Sequence, residues 1–322
     1  MHPAKSVILF TTASGAGYGL VVMAALFDAL GLMAREPVVT AVTLGLALAL
    51  IVVGLLASTF HLGHPERAWR ALSQWRSSWL SREGVAALWT FLPILGWGTL
   101  RLLDAEGAPG PAEQALAVVA GLSALATLYC TGMIYASLKA VPMWATRWTP
   151  AAYLLIGPAT GGVLFNAIAH LFAFHQESTG SIVTVVLLLA LASKMGFWKR
   201  AEKMKPAATA ESATGLGRDE DGEPAAVTLL EAPHSEPNYL MREMGFRIAR
   251  KHAARLRRIA MVWTFLFPML AIWMSSYSSG WAEAVLILIS LVTAGVGLVA
   301  ERYLFFAEAR HVQSLYYGEA AV

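Results

Sequence analysis

Cysteine is all but missing from this sequence: the only one, Cys130, lies inside an apolar run. A single thiol provides no disulfide framework, no Cys-x-x-Cys zinc site and no set of thiolates for an iron–sulfur cluster. Charge is scarce as well. Charged residues make up 14% of the 322, against roughly 25% in an average soluble domain, which is too few to coat a water-facing sphere. With 57% hydrophobic residues, the chain is composed for lipid.

The apolar residues fall into runs near the length of a membrane crossing, about 20 residues. Eight spans are expected: Val7–Leu32, Val38–Phe60, Val85–Leu103, Ala115–Ala136, Ala151–Phe174, Ile182–Phe197, Ile259–Ser275 and Ala282–Phe305. The sixth and seventh are short. The first is far longer than the 7–15-residue core of a secretory signal, and no small-residue cleavage pattern follows a basic start, so it is expected to remain as a span. Lipid-exposed backbone must satisfy its own hydrogen bonds, and these runs lack the period-2 alternation of barrel strands. The expected fold is all-α, a polytopic bundle of eight transmembrane helices forming one membrane domain over 1–322.

Lysine and arginine between the spans set the expected orientation. Placing both termini and the second, fourth and sixth loops on one side collects 22 of the 24 basic residues, counting Lys194 as snorkelling to that side, and leaves Arg35 and Arg101 opposite. The expected location is a bacterial inner membrane with both termini cytoplasmic.

One long polar insertion, 199–258, separates spans six and seven. It opens Ala/Glu/Pro-rich and passes through Arg218-Asp-Glu-Asp-Gly-Glu-Pro224, a composition that cannot bury enough apolar surface to fold alone. Disorder is expected there, or order only against a partner. The stretch Asn238–Arg258 then spaces Leu240, Met244, Ile248 and Leu256 near helical period among arginines and lysines, a basic amphipathic helix leading into span seven. Its charges suit anionic lipid, and Arg247, Arg250, Lys251 and Arg255, with Arg70 and Arg76 of the second loop, are candidates for docking a partner protein.

The second loop is the richest in chemistry: His61-Leu-Gly-His-Pro-Glu-Arg-Ala-Trp-Arg70, continuing to Leu80-Ser-Arg-Glu83. His61 follows the second span and Glu83 lies just before the third, so neighbouring antiparallel spans would hold an imidazole and a carboxylate at one depth. Reduction or oxidation of a quinone moves two protons with two electrons, which calls for a group titrating near neutral pH and a route to water. Each residue also has a plainer role. Glu83 would favour its helix N-terminus with Ser81 as cap, His64 would cap a helix end before Pro65, and Arg67, Arg70, Arg76 and Arg82 would fix topology. Glu301 and Arg302 are either an internal ion pair or part of the pocket wall. The histidines offer no haem ligand pair: His170 and His175 share one span's outer end, and His61, His64, His252 and His311 lie at span ends or in loops. The composition also admits a secondary transporter, for which Gly161-Gly162 is the broken-helix candidate, although close helix packing explains these glycines equally.

The string His61-Leu-Gly-His-Pro-Glu-Arg-Ala68, then Leu80-Ser-Arg-Glu83, then Val141-Pro-Met-Trp-Ala-Thr-Arg-Trp-Thr-Pro150, resembles the membrane anchor subunit of dimethyl sulfoxide reductases, and also that of membrane-bound sulfite dehydrogenases. The resemblance spans all eight helices, with the long sixth loop as a departure. It implies a protein without a cofactor of its own that partners an iron–sulfur subunit and a molybdopterin catalytic subunit. It further implies that ubiquinone or menaquinone binds near His61 and Glu83; His64, Arg67 and Glu301, read at the same face, are the further candidates for that quinone site. The implied partners are these subunits, membrane lipids and quinone, with no nucleic acid, and electrons could run in either direction.

Overall fold

A computed structural model describes residues 5–60, 62–104, 107–217, 222, 227–231 and 247–322, leaving aside the side chains of 247 and 248. Eight helices in it are long and apolar enough to cross a membrane: α1 (Lys5–Ala29), α2 (Pro37–Phe60), α3 (Trp79–Leu103), α4 (Pro111–Ala136), α5 (Trp148–Leu171), α6 (Glu177–Lys203), α7 (Ala253–Ser275) and α8 (Trp281–Ala307). The protein is a multi-pass helical membrane protein. Among the described residues the β structure is one isolated bridge, Thr209 to Ala321. The two spans that read as short are full length: α6 runs on through its basic end to Lys203, and α7 starts at Ala253, because their polar ends continue the helix past the apolar run.

Small residues decide which helices meet. α1 and α5 are the most enclosed, and they cross backbone to backbone: a Cβ on Gly19 would collide with the Gly157 carbonyl, and one on Gly161 with the Gly19 and Leu20 backbone. Small residues four apart on each helix allow that approach. α5 is continuous through Gly161 and Gly162, so these glycines pack helices and do not break one. The lipid-facing sides carry large apolar residues, as in Leu88, Leu92 and Leu95 of α3.

α7 contains a π turn, Val262–Leu266, in which the Phe267 N–H bonds to the Val262 carbonyl. Its cause is Pro268 in the next turn: proline has no N–H for the Thr264 carbonyl, and its ring crowds that group. The widened turn lies against Gly297 of α8, where a Cβ would meet the Thr264 nitrogen.

Loops at each end bind one another. At one end Arg35, between α1 and α2, donates to Glu113 at 2.8 and 3.0 Å and to the Asp104 carbonyl. Arg101 is fully buried beside it, bonded to Asp28, to Thr40 at 3.0 Å and to the Met33 and Ala34 carbonyls. The two arginines that oppose the charge bias are thus each neutralised by an acid.

At the other end the start of the insertion is ordered against the C-terminus of the same polypeptide. The Ala207 and Ala208 N–H groups donate to the Val322 carbonyl, and Ala210 donates to Ala320. Thr209 forms a capping box on a short helix, Ala210–Thr214. The disorder expected from composition therefore does not begin at the end of α6. The Arg218–Pro224 run, apart from Gly222, and the first part of the basic amphipathic stretch lie outside the described residues. What is described of that stretch is two pieces, Arg247–Lys251 and the start of α7, separated at His252.

Candidate functional site

His61 itself lies outside the described residues. The loop after it folds as a 3₁₀ helix, Pro65–Leu72, and turns down onto the start of α3. Arg82 holds it there, donating from Nε to the Trp75 carbonyl at 2.9 Å and from Nη2 to the Arg76 carbonyl at 2.7 Å while stacking on Trp79. Ser81 donates to the Ala71 carbonyl. Ser81 is thus a loop anchor, not the helix cap; α3 begins at Trp79, with Ser78 in the cap position.

That early start changes the reading of Glu83. It lies inside α3, one turn in, and is buried. Its carboxylate accepts a hydrogen bond from Thr131 on α4, and the helix packs mainly along α4 and only lightly along α2. The other enclosed carboxylates each meet a cation: Asp28 meets Arg101, Glu113 meets Arg35, Glu301 meets Lys194 and Glu308 meets Arg257. Among the described residues Glu83 meets none. An isolated charge in an apolar interior is costly enough that the group neutralises or serves a function.

Behind Glu83 the interior is aromatic and polar. Tyr18, Tyr135 and Tyr153 are within electrostatic reach of its carboxylate, and the buried Tyr18 hydroxyl has no hydrogen-bond partner among the described residues. Tyr135 stacks on Tyr153 at 5.8 Å, and the Arg302 guanidinium lies 4.1 Å over the Tyr153 ring. Arg302 Nε is 2.9 Å from one oxygen of Glu301, and Lys194 Nζ is 2.5 Å from the other. Lys194, expected to snorkel outward, is instead fully buried over Phe197 and Trp198. Glu301 is committed to an internal triad.

Of the loop candidates, His64 is exposed and lies 3.0 Å from Glu66, with Arg67 exposed beside them. Arg70, Arg76, Lys251 and Arg255 are exposed at the same end. Arg250 is not a free docking group: it donates to the Ala307 and Ala309 carbonyls at the C-terminus of α8, at 3.1 and 3.0 Å. Arg257, which the sequence did not single out from its neighbours, bridges Glu308 and Glu202 at 2.6 and 2.7 Å. Burial pushes the Glu308 carboxyl above its ordinary range, opposed by the Arg257 hydrogen bond. Arg247 belongs to the helix Arg247–Lys251, and its side chain lies outside what is described.

The comparisons with known proteins decide what this arrangement belongs to. The family described as DMSO reductase anchor subunit (DmsC) matches residues 1–308. The chain belongs to that family. It is 34% identical to the C subunit of the sulfite dehydrogenase of Allochromatium vinosum, in an alignment 338 positions long that covers the whole of both proteins. It is also 30% identical over 118 residues to the C component of the anaerobic dimethyl sulfoxide reductase of Escherichia coli, covering 35% of this protein and 40% of that one.

In this anchor subunit the Val141–Pro150 string has a visible role. Trp144 donates to the Phe305 carbonyl at 2.8 Å, and Thr149 donates to the Trp144 carbonyl at 2.7 Å. The loop is thereby fastened over the end of α8, beside Tyr135 and Tyr153. At the opposite end of the anchor the sequence reasoning missed a cluster. His170 Nδ1 lies 2.5 Å from Glu283 on α8, and His175 Nε2 lies 3.7 Å from the same carboxylate. Ala173, between the histidines, takes a positive φ of 56° as the backbone turns off α5. The 113 residues separating His170 from Glu283 leave no local trace of the contact.

Proposed function

We propose that this chain is the membrane anchor and quinone-reactive subunit of a molybdenum and iron–sulfur oxidoreductase in a bacterial inner membrane, with its termini in the cytoplasm. It passes electrons between the partner's clusters and ubiquinone or menaquinone. The full-length match to a sulfite dehydrogenase subunit supports sulfite oxidation, with electrons running into quinone. The observation that carries the reading is Glu83, a buried carboxylate held by Thr131 and without a cation, beneath the loop that follows His61.

In this reading His61 bonds a quinone oxygen at the membrane interface, and Glu83 relays the protons that accompany the electrons. Two protons and two electrons convert quinone to quinol; the electrons come from the iron–sulfur subunit and the protons from the cytoplasm. His64 and Arg67 line the entrance, and Glu301 supports the wall from behind through Arg302 and Tyr153. Arg70, Arg76, Lys251 and Arg255 form the basic rim on which an acidic iron–sulfur subunit docks, with Arg247 beside them.

The test is purification of the complex carrying His61→Ala. Co-isolation of molybdenum and iron–sulfur subunits, loss of quinone-linked turnover and normal turnover with a soluble artificial acceptor support the reading. A normal quinone-linked rate moves the site to His64, Arg67 and Glu301, and an anchor purified without those subunits removes the assembly.

A further inference from the structure

At the end of the bundle away from Glu83, a cavity of about 580 Å³ opens between α2, α5 and α8. Its walls are apolar, among them Val42, Leu46, Ala167, Ile287 and Leu288, and its polar members are His170 and Glu283. Leu164 and Leu291 also line a second, smaller groove of about 240 Å³ that reaches Thr12 and Leu50 deeper in the bundle. The two form an apolar track with a polar group at its outer end.

His170, His175 and Glu283 place their ligand atoms within 4.8 Å of one another, a spacing that also invites a metal ion. The rings argue against one. The imidazoles stack at 4.0 Å with 10° between their planes, whereas an imidazole binds a metal through a lone pair in its ring plane. Two parallel planes so far apart share no such point.

We propose that this cavity binds the reduced, hydroquinone form of an isoprenoid quinone, the head against His170 and the tail in the track. The inference rests on the reading of the chain as quinone-reactive. In the neutral tautomer whose Nδ1–H donates to the Glu283 carboxylate, His170 keeps Nε2 as an acceptor, and Nε2 has no partner among the described residues. An acceptor calls for an O–H donor, which quinol has and quinone lacks. A phospholipid headgroup fits poorly: its phosphate is an anion and an acceptor, it would meet Glu283, and no lysine or arginine lines the cavity. Tyr153 and His170 stand seventeen residues apart on α5, about 26 Å of helix at 1.5 Å per residue. The site therefore stores or releases quinol on the far face and exchanges no electrons with the partner subunits.

The experiment is equilibrium binding of tritiated decyl-ubiquinol to the purified complex in phosphatidylcholine nanodiscs, under reducing conditions. Two molecules per complex are expected for wild type. One is expected for His170→Ala and for Ala167→Phe, which fills the cavity without touching the His170–Glu283 pair, with quinone-linked turnover unchanged in both. One molecule in all three proteins overturns the proposal, as does a co-purified phospholipid at this site that saturating quinol does not displace. Glu83→Gln separates the two readings: if it leaves two molecules bound and turnover normal, the proton-relay role of Glu83 at the other face fails while this site stands.

Discussion

Lys194 on α6 and Glu301 on α8 meet at 2.5 Å in the bundle interior, with Arg302 on the second Glu301 oxygen. Two cations share one carboxylate, so the partners are not equivalent. Glu301→Gln leaves two buried cations unpaired and is expected to cost about 3–5 kcal/mol. Lys194→Met leaves a neutral Glu301–Arg302 pair and is expected to cost much less. Thermal unfolding of both variants in the same detergent checks the ranking. An assembled Glu301→Gln complex with normal stability and no quinone turnover would give Glu301 a direct part in quinone binding.

The α1–α5 crossing predicts an asymmetry among glycines. Gly161→Ala puts a methyl into the backbone of Gly19 and Leu20, whereas a Cβ at Gly45 meets nothing within 4 Å. Overpacking of this kind costs about 1–3 kcal/mol or more. Gly161→Ala is expected to lower the melting temperature and yield in detergent, and Gly45→Ala to leave both unchanged.

Glu308 predicts a pH effect. Its raised pKa means that the folded chain holds this proton more tightly than the unfolded chain does. Its contribution to stability is full below the ordinary carboxylate range and is lost as pH rises through the folded value. Glu308→Gln should flatten the fall in melting temperature above about pH 4.5, while Arg257 keeps Glu202 as a partner. An unchanged slope in the variant would assign that fall to other groups.

The basic rim predicts different effects from different arginines. Neutralising Arg70, Arg76, Lys251 and Arg255 together should release the soluble subunits at lower salt than in wild type, because exposed charge pairs are screened. Arg250→Ala, which strips hydrogen bonds from the end of α8, should lower the stability of the anchor itself. Salt-dependent release from membranes and thermal unfolding separate the two effects.

The eight spans were readable because a membrane crossing is a local property of about 20 consecutive residues, and the bounds were missed where polar residues continue a helix, as at Lys199–Lys203 and Trp79–Arg82. Glu83 was legible as a residue to watch, but its setting was not: placing it at the helix start suggested a charge on the positive helix end with Ser81 as cap, and its bond to Thr131 depends on the packing of α3 along α4. Lys194 illustrates the same limit. Composition places a lone lysine near a span end at the interface, and only the fold brings Glu301, 107 positions away, to bury it. The His170–Glu283 contact likewise joins two helix ends with no shared local pattern.

The most direct test of the account is the ratio of quinone-linked turnover to turnover with a soluble artificial acceptor in the Glu83→Gln complex. Proton transfer by a positioned side chain contributes about 10²–10⁴-fold, and water replaces part of a relay, so the ratio is expected to fall by about ten-fold or more with the artificial-acceptor rate unchanged. A wild-type ratio in an assembled Glu83→Gln complex would contradict the account.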